Sequence, residues 1–135
     1  MGVELSKDAQ AFLSEKVYAH LATIMRDGSP QNTPVWVDSD GTNVLVNTAE
    51  GRVKTKNLYR DGRVALSIMG LESGYRCLYV RGRVKEITTE GANEHIDALS
   101  LTYTGNPVYA GHARGEKRLK VVIEPLKVTE RGLSV

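Results

Sequence analysis

Two tight turn signals near the start of the chain constrain its fold most. Asp27-Gly28-Ser29-Pro30 and Asp38-Ser39-Asp40-Gly41 each interrupt a run of alternating residues. Short alternating runs joined by Gly turns mark antiparallel hairpins, because a strand sends successive side chains to opposite faces. Val17 to Met25 reads as the first strand. Tyr18, His20, Ala22 and Ile24 alternate there with Val17, Ala19, Leu21 and Thr23, which suits a strand with both faces partly covered. Thr33, Val35 and Val37 alternate in the second, with Trp36 between them, and Val44 to Thr48 is the third. The three form an antiparallel meander.

Helical spacing appears elsewhere. Ser6 is a candidate N-cap, and Leu5, Ala9, Phe12 and Leu13 recur with helical period up to about Lys16. Gly51 to Arg60 favours helix and stops at Asp61-Gly62. Gly91 to Tyr103 places Ile96, Leu99 and Tyr103 on one face. Val64 to Met69 and Cys77 to Ile87 read as strands, the second with Gly82 in its middle, where a Gly marks a bulge or bend. Thr104 to Lys117 reads as a loop, and a last strand runs from Leu119 past Pro125 through Val128. About six strands and three helices result, joined mostly by hairpins rather than helical crossovers. The expected architecture is mainly β, within the α+β class: a small antiparallel barrel with helices packed outside. An open antiparallel sandwich is the alternative. One domain spanning residues 1–135 accommodates all of it.

Composition excludes several function classes. Eighteen basic and sixteen acidic side chains leave a net charge of +2, too little for the basic face of a nucleic-acid binder. Aromatics are only 6% and do not interleave with cations as a stacking platform would. The single cysteine, Cys77, excludes an intrachain disulfide and a cysteine-based zinc site. Neither a secretory leader nor an apolar run of membrane-spanning length is visible. A soluble cytoplasmic protein without nucleic-acid or membrane partners is the simplest expectation.

Conventional catalytic constellations are missing. His20 lies in a strand beside apolar residues and reads as structural. His95, next to Glu94 on a helix, reads as exposed. His112, in a Gly-rich loop, is more open to function. Neither a nucleophile elbow nor a His-Glu-x-x-His motif is found, and Cys77 reads as an inert core thiol.

The most informative segment is Asn47-Thr48-Ala49-Glu50-Gly51-Arg52-Val53-Lys54-Thr55-Lys56-Asn57-Leu58. A strand ends in small polar residues, and a Gly then opens a helix that carries three cations. The free N–H groups and positive dipole end of a helix start attract anions. Arg52 is suited to two parallel bonds to a phosphate, Lys54 adds a point charge, and Thr48 offers a hydroxyl at the rim. This is a candidate phosphate cradle, with a solvated basic helix face as the plainer alternative.

An ordered set of motifs extends the reading over nearly the whole chain. It runs from Ala19-His20-Leu21-Ala22-Thr23-Ile24 through Asp27-Gly28-Ser29-Pro30-Gln31 and Thr33-Pro34-Val35-Trp36 to Gly51-Arg52-x-Lys54-x-x-Asn57-Leu58. Arg60-Asp61-Gly62-Arg63-Val64, Val80-Arg81-Gly82-Arg83-Val84 and Val121-Val122-Ile123-Glu124-Pro125 complete it. The chain resembles the split β-barrel flavin and deazaflavin oxidoreductases, the pyridoxamine 5′-phosphate oxidase-like superfamily, and within it the F420-dependent branch. The resemblance implies a six-stranded split barrel of the FMN-binding type and a homodimer with cofactor clefts between subunits. It also implies coenzyme F420, or alternatively FMN, as cofactor. By that likeness Arg52 and Lys54 hold the cofactor phosphate, with Gly51 and Val53 at the same helix start. Thr48 and Asn57 support the cradle, Asn57 in a structural capacity, while Thr33, Pro34, Val35 and Trp36 lie along the ring. The sequence ends Arg131-Gly132-Leu133-Ser134-Val135, without the arginine- and tryptophan-containing tail of the vitamin B6 oxidases, which argues against that substrate.

A redox cofactor performs the difficult chemistry itself, so few catalytic side chains are needed. The resemblance therefore implies hydride transfer from reduced F420 to an electron-poor molecule such as an α,β-unsaturated carbonyl. A Tyr or solvent supplies the proton, Tyr79, Tyr103 and Tyr109 being the candidates. Arg114, Lys117, Arg118 and Lys120 are cations available to an anionic cofactor tail. An FMN-dependent enzyme and a non-catalytic F420- or FMN-binding protein are the alternatives.

Overall fold

The computed structural model describes residues 2–134. Its elements are α1 (Lys7–Leu13), β1 (Val17–Ile24), β2 (Pro30–Val35), β3 (Val37–Ser39), β4 (Val44–Ala49), α2 (Val53–Arg60) and β5 (Arg63–Gly70). They continue with β6 (Cys77–Thr88), α3 (Ala92–Thr104), a 3-10 turn (Ala110–Arg114) and β7 (Arg118–Arg131). Among the described residues no helix is long and apolar enough to cross a membrane.

Local chemistry explains the boundaries. The Ser6 hydroxyl accepts from the Ala9 N–H at 3.0 Å, so α1 begins where the N-cap rule places it. Gly51 takes φ 91°, a left-handed turn that bends β4 into α2 and that other residues adopt only with strain. At Gly82 the constraint is space. A Cβ there would lie 2.6 Å from the Glu124 carbonyl oxygen. Nearby, the β6–β7 register slips between Arg81↔Lys127 and Gly82↔Pro125, so the expected bulge is present.

The strands form one antiparallel sheet in the order β2-β1-β5-β6-β7-β4-β3. It curls into a half-barrel. Seven strands are present rather than six, because the chain breaks at Trp36. Val35 is in register with Ala19 of β1, whereas Val37 is in register with Val46 of β4. The segment read as one strand therefore supplies both edges of the sheet. The expected three-strand meander is two separate hairpins, β1–β2 and β3–β4, and no ladder joins β2 to β3.

The inner face carries the core. Phe12, Leu13, Leu21, Ile68, Leu78, Val80, Val121 and Ile123 are almost wholly buried and pack as one cluster. Each such side chain contributes about 1.5–3 kcal/mol on removal from water. In β1 only one face is covered: Val17, Ala19 and Leu21 are buried, and Tyr18 and His20 are exposed. The outward position of His20 corrects the structural reading of that histidine. A smaller cluster forms where Ile96, Leu99 and Tyr103 of α3 meet Trp36 and Tyr109. Two packed layers thus flank the break in the sheet.

Candidate functional site

A cleft of about 510 Å³ opens at that break. The exposed side of β1 (Tyr18 and His20) and the end of β2 (Pro34 and Val35) form one wall. Trp36 and the apolar face of α3 form another, with Tyr109 beside them. Arg52 and Lys54 enter from the start of α2, and Asn47 and Arg118 from the adjoining ends of β4 and β7. The fold explains the meeting. Ala49 and Arg118 are register partners, so the exit of β4 and the entry of β7 lie side by side.

The aromatic wall is ordered. Trp36 stacks on Tyr103 with centroids 5.4 Å apart and planes 11° from parallel, and Tyr109 meets Trp36 edge-on at 5.9 Å. The Tyr103 hydroxyl bonds the backbone of Val37, donating to its carbonyl oxygen and accepting from its N–H, each at 3.4 Å. Burial raises the Tyr103 pKa. Tyr109 is held from two sides. Its N–H donates to the Asp97 carboxylate at 2.8 Å, which also meets His112 Nε2 at 2.7 Å. The Arg118 guanidinium lies 5.0 Å over its ring. His112, the histidine most open to function on sequence grounds, thus fastens the 3-10 turn to α3.

The opposite end of the cleft is cationic. Glu116 accepts from Arg52 at 2.9 Å, Arg118 at 3.1 Å and Arg114 at 3.4 Å. The bond from Arg52 is the main reason its pKa lies below the ordinary carboxylate value. Lys54 lies close by, half-buried on the cleft wall, with no carboxylate within 4.0 Å among the described residues. Burial, followed by repulsion from Arg52 and Arg118, lowers its pKa. A half-buried cation with no counter-charge is costly unless a ligand supplies one. Among the described residues no side chain caps the start of α2, so the first N–H groups of that helix are open as well.

The residues singled out on sequence grounds divide in two. Pro34, Val35, Trp36, Arg52 and Lys54 line the cleft. Thr33, Thr48, Gly51, Val53 and Asn57 stand outside its lining. Thr48 is buried rather than at the rim, its hydroxyl 2.9 Å from that of Thr55. Asn57 donates to the Thr23 hydroxyl at 3.0 Å and accepts from Arg60 at 2.8 Å, tying α2 to β1. Thr33 Oγ1 is buried without a hydrogen-bond partner among the described residues. Sequence reasoning reached Arg118 only as one of four spare cations and gave Asn47 no role, although it opens the segment singled out there. The signal available was strand pairing, since β4 and β7 bring both beside Arg52. His95 was expected to be exposed. It is buried, with Nε2 2.8 Å from Asp38 and Nδ1 3.1 Å from the Asn47 amide. Tyr79 lies on β6 and does not line the cleft.

The profile of the pyridoxamine 5′-phosphate oxidase family matches residues 5–131. No curated protein matches. Among solved structures the chain is similar to an F420 reductase at 27% identity and a TM-score of 0.81, covering 93% of this chain and 98% of that one. A conserved hypothetical protein from Mycobacterium tuberculosis is 24% identical with a TM-score of 0.76, covering 98% and 88%. A putative pyridoxamine 5′-phosphate oxidase from Lactobacillus delbrueckii is 18% identical with a TM-score of 0.63, covering 93% of each chain. The last two likenesses concern the fold alone.

Proposed function

The chain belongs to the pyridoxamine 5′-phosphate oxidase family, within the split-barrel superfamily of flavin and deazaflavin oxidoreductases, and from that premise we propose that it is a reductase dependent on coenzyme F420. One observation carries the proposal: Lys54, half-buried and without a carboxylate partner, stands beside Arg52 and Arg118 at one end of a cleft with an aromatic wall. That donor set fits a phosphate on an elongated cofactor with a flat ring. The similarity to an F420 reductase supports the deazaflavin over FMN.

Reduced F420, when bound, supplies the hydride. The chain's own work is binding and placement. Arg52 and Lys54 hold the phosphate, and the uncapped start of α2 adds N–H donors. Pro34, Val35 and Trp36 set the position of the ring. Leu99 and Ile96 make the α3 side of the cleft apolar and would keep water from a ring held there. The substrate would be an electron-poor molecule, such as an unsaturated carbonyl, received in the cleft beside the bound ring. Tyr109 is the phenol suited to deliver a proton. Arg114 donates to its oxygen at 3.2 Å, which leaves its own hydrogen free to be given.

A second copy of the chain completes the cleft. Tyr18, Met69 and Tyr79 are 53%, 40% and 38% exposed on the outward face of β1, β5 and β6. Tyr18 pairs with Met69, and Ser67 pairs with both His20 and Tyr79, so these three side chains and the cleft-lining His20 share one uncovered face. A homodimer built on that face covers the mouth of the cleft. Sedimentation giving twice the chain mass supports it, and a monomer refutes it.

The test of function is charge reversal. Arg52→Glu combined with Lys54→Glu removes two charge-assisted contacts, so F420 affinity falls roughly 100-fold or more while circular dichroism is unchanged. Unaltered affinity in a folded variant refutes the cradle. Turnover of electron-poor substrates by the wild type with reduced F420 separates a reductase from a protein that merely binds it.

A further inference from the structure

Tyr109 reaches the cleft from a strap rather than from a regular strand or α-helix. Residues 105–115 link α3 to β7 and are bounded by two glycines in the left-handed region, Gly105 at φ 81° and Gly115 at φ 68°. Apart from Gly111, every residue of the strap is exposed or half-buried, so little apolar burial holds it in place. Across residues 107–113, the hydrogen bonds that reach outside the strap both end on one oxygen among the described residues. Asp97 Oδ1, on α3, accepts from the Tyr109 N–H at 2.8 Å and meets His112 Nε2 at 2.7 Å. A carboxylate only accepts, so His112 donates from Nε2. The Tyr109 bond is the main reason the Asp97 pKa lies below the ordinary carboxylate value. The contacts of the ring itself are of another kind. Trp36 meets it edge-on, Arg118 lies over its face, and a Cβ on the buried Gly111 would overlap it. These contacts bound the space the ring fills, while Asp97 fixes the backbone from which it projects. Arg114, which donates to the phenol oxygen, belongs to the same strap and moves with it.

We propose that Asp97 is the positioning residue for Tyr109, the group that sets where the phenol stands in the cleft. The proposal rests on the reading of Tyr109 as proton donor and deepens it. Asp97 does not line the cleft, so its influence on the site passes through the strap. A proton donor works only from within hydrogen-bond reach of the atom it protonates, and a displacement of about 1 Å is enough to slow such a step severely. One carboxylate bonded to the backbone of Tyr109 and to the ring of His112 restrains the strap on either side of Ala110 and Gly111, which is what such placement requires.

The first test needs no cofactor. Trp36 is the sole tryptophan and has the Tyr109 ring against it, so acrylamide quenching of its emission reads the place of that ring. The Asp97 side chain is 32% exposed, so its truncation leaves no buried cavity. Asp97→Ala frees the strap, shifts the emission to the red and raises the quenching constant. Asp97→Asn keeps an oxygen for the Tyr109 N–H and restores most of the wild-type value. In a Tyr109→Ala background, where no ring remains to be placed, Asp97→Ala adds nothing. Unchanged quenching in Asp97→Ala, or an equal further rise in the Tyr109→Ala background, overturns the proposal, since the carboxylate then either does not hold the ring or holds only the fold. The second test is kinetic, with reduced F420 and cyclohex-2-enone. Asp97→Ala lowers kcat roughly tenfold and leaves F420 affinity near wild type, and it slows Tyr109→Phe no further. A further loss in Tyr109→Phe overturns the proposal. Wild-type kcat in Tyr109→Phe overturns the proton-donor reading instead, and a wild type that reduces no enone overturns the reductase reading, while the quenching series still decides the role of Asp97.

Discussion

Arg118 donates from Nε to the side-chain oxygen of Asn47 at 2.9 Å, and this bond decides which way the amide faces. A guanidinium only donates, so Asn47 must turn its oxygen toward it. Its Nδ2 then faces the Ala92 carbonyl oxygen at 2.9 Å and His95 Nδ1 at 3.1 Å. An amide nitrogen also only donates, so His95 Nδ1 accepts. The ring proton sits on Nε2 and is donated to Asp38 at 2.8 Å. One cleft cation thus specifies a histidine tautomer on α3, and β4, β7 and α3 are locked together behind the site.

Asn47→Ala breaks that chain of donors. Arg118 loses the bond that aims it, so cofactor affinity falls roughly three- to tenfold, the range set by one net hydrogen bond to a charged group. In wild type, nitrogen-15 NMR finds the His95 proton on Nε2. A proton on Nδ1 would contradict the donor assignment.

Trp36 is the sole tryptophan of the chain and lines the cleft between Tyr103 and Tyr109. Its emission therefore reports on the site without a label. Titration with F420 quenches it, and Trp36→Phe removes the signal while keeping most of the stacking surface. Emission that does not respond to a ligand bound by other measures places that ligand elsewhere.

Burial, reinforced by Arg52 and Arg118, sets the folded-state pKa of Lys54 below 10.5. Between that lowered value and the ordinary value of the unfolded chain, the unfolded state holds more protons. Stability therefore rises with pH across this window, and at neutral pH the half-buried charge costs stability. Lys54→Met keeps the apolar stem and removes the charge. At pH 7 it raises the Tm modestly and weakens cofactor binding at least tenfold, the scale of one charge-assisted bond. Its Tm advantage shrinks as pH approaches 10.5. An advantage that grows with pH has the wrong sign for this account.

Gly82→Ala tests the bulge. A methyl group at 2.6 Å from the Glu124 carbonyl forces β6 and β7 apart, and the obstacle is backbone rather than a movable side chain. The expected loss is about 2–3 kcal/mol, measured by urea unfolding with unchanged cofactor stoichiometry. A loss under about 0.5 kcal/mol would show that the sheet absorbs the change freely.

Much of this arrangement is legible in the sequence because it is local. The turn at Asp27-Gly28 produces the β1–β2 hairpin, Ser6 caps α1, and Gly51 with the cations after it marks the entry to α2. Gly82 announces its bulge. What escapes depends on contacts between distant residues. Trp36 looks like one more member of an alternating strand, since nothing in its neighbourhood records that Val35 and Val37 pair with different partners. His20 and His95 exchange their expected places for a similar reason. His20 has apolar neighbours in sequence, but its strand covers only one face. His95 follows a glutamate on an amphipathic helix, but Asp38 and Asn47 reach it from β3 and β4. Arg118 joins the cleft through the register of β7 against β4, which no short motif encodes.

The break at Trp36 has a consequence for what such a barrel can carry. Strands within a ladder are held about 4.8 Å apart by their backbone bonds. Where β2 gives way to β3, the circumference is closed by a single stretch of covalent chain instead. Changing the girth at that seam sacrifices no ladder bond. The fold therefore has an expansion joint directly beside its cleft, where the width of the opening is set by a few torsions around one tryptophan.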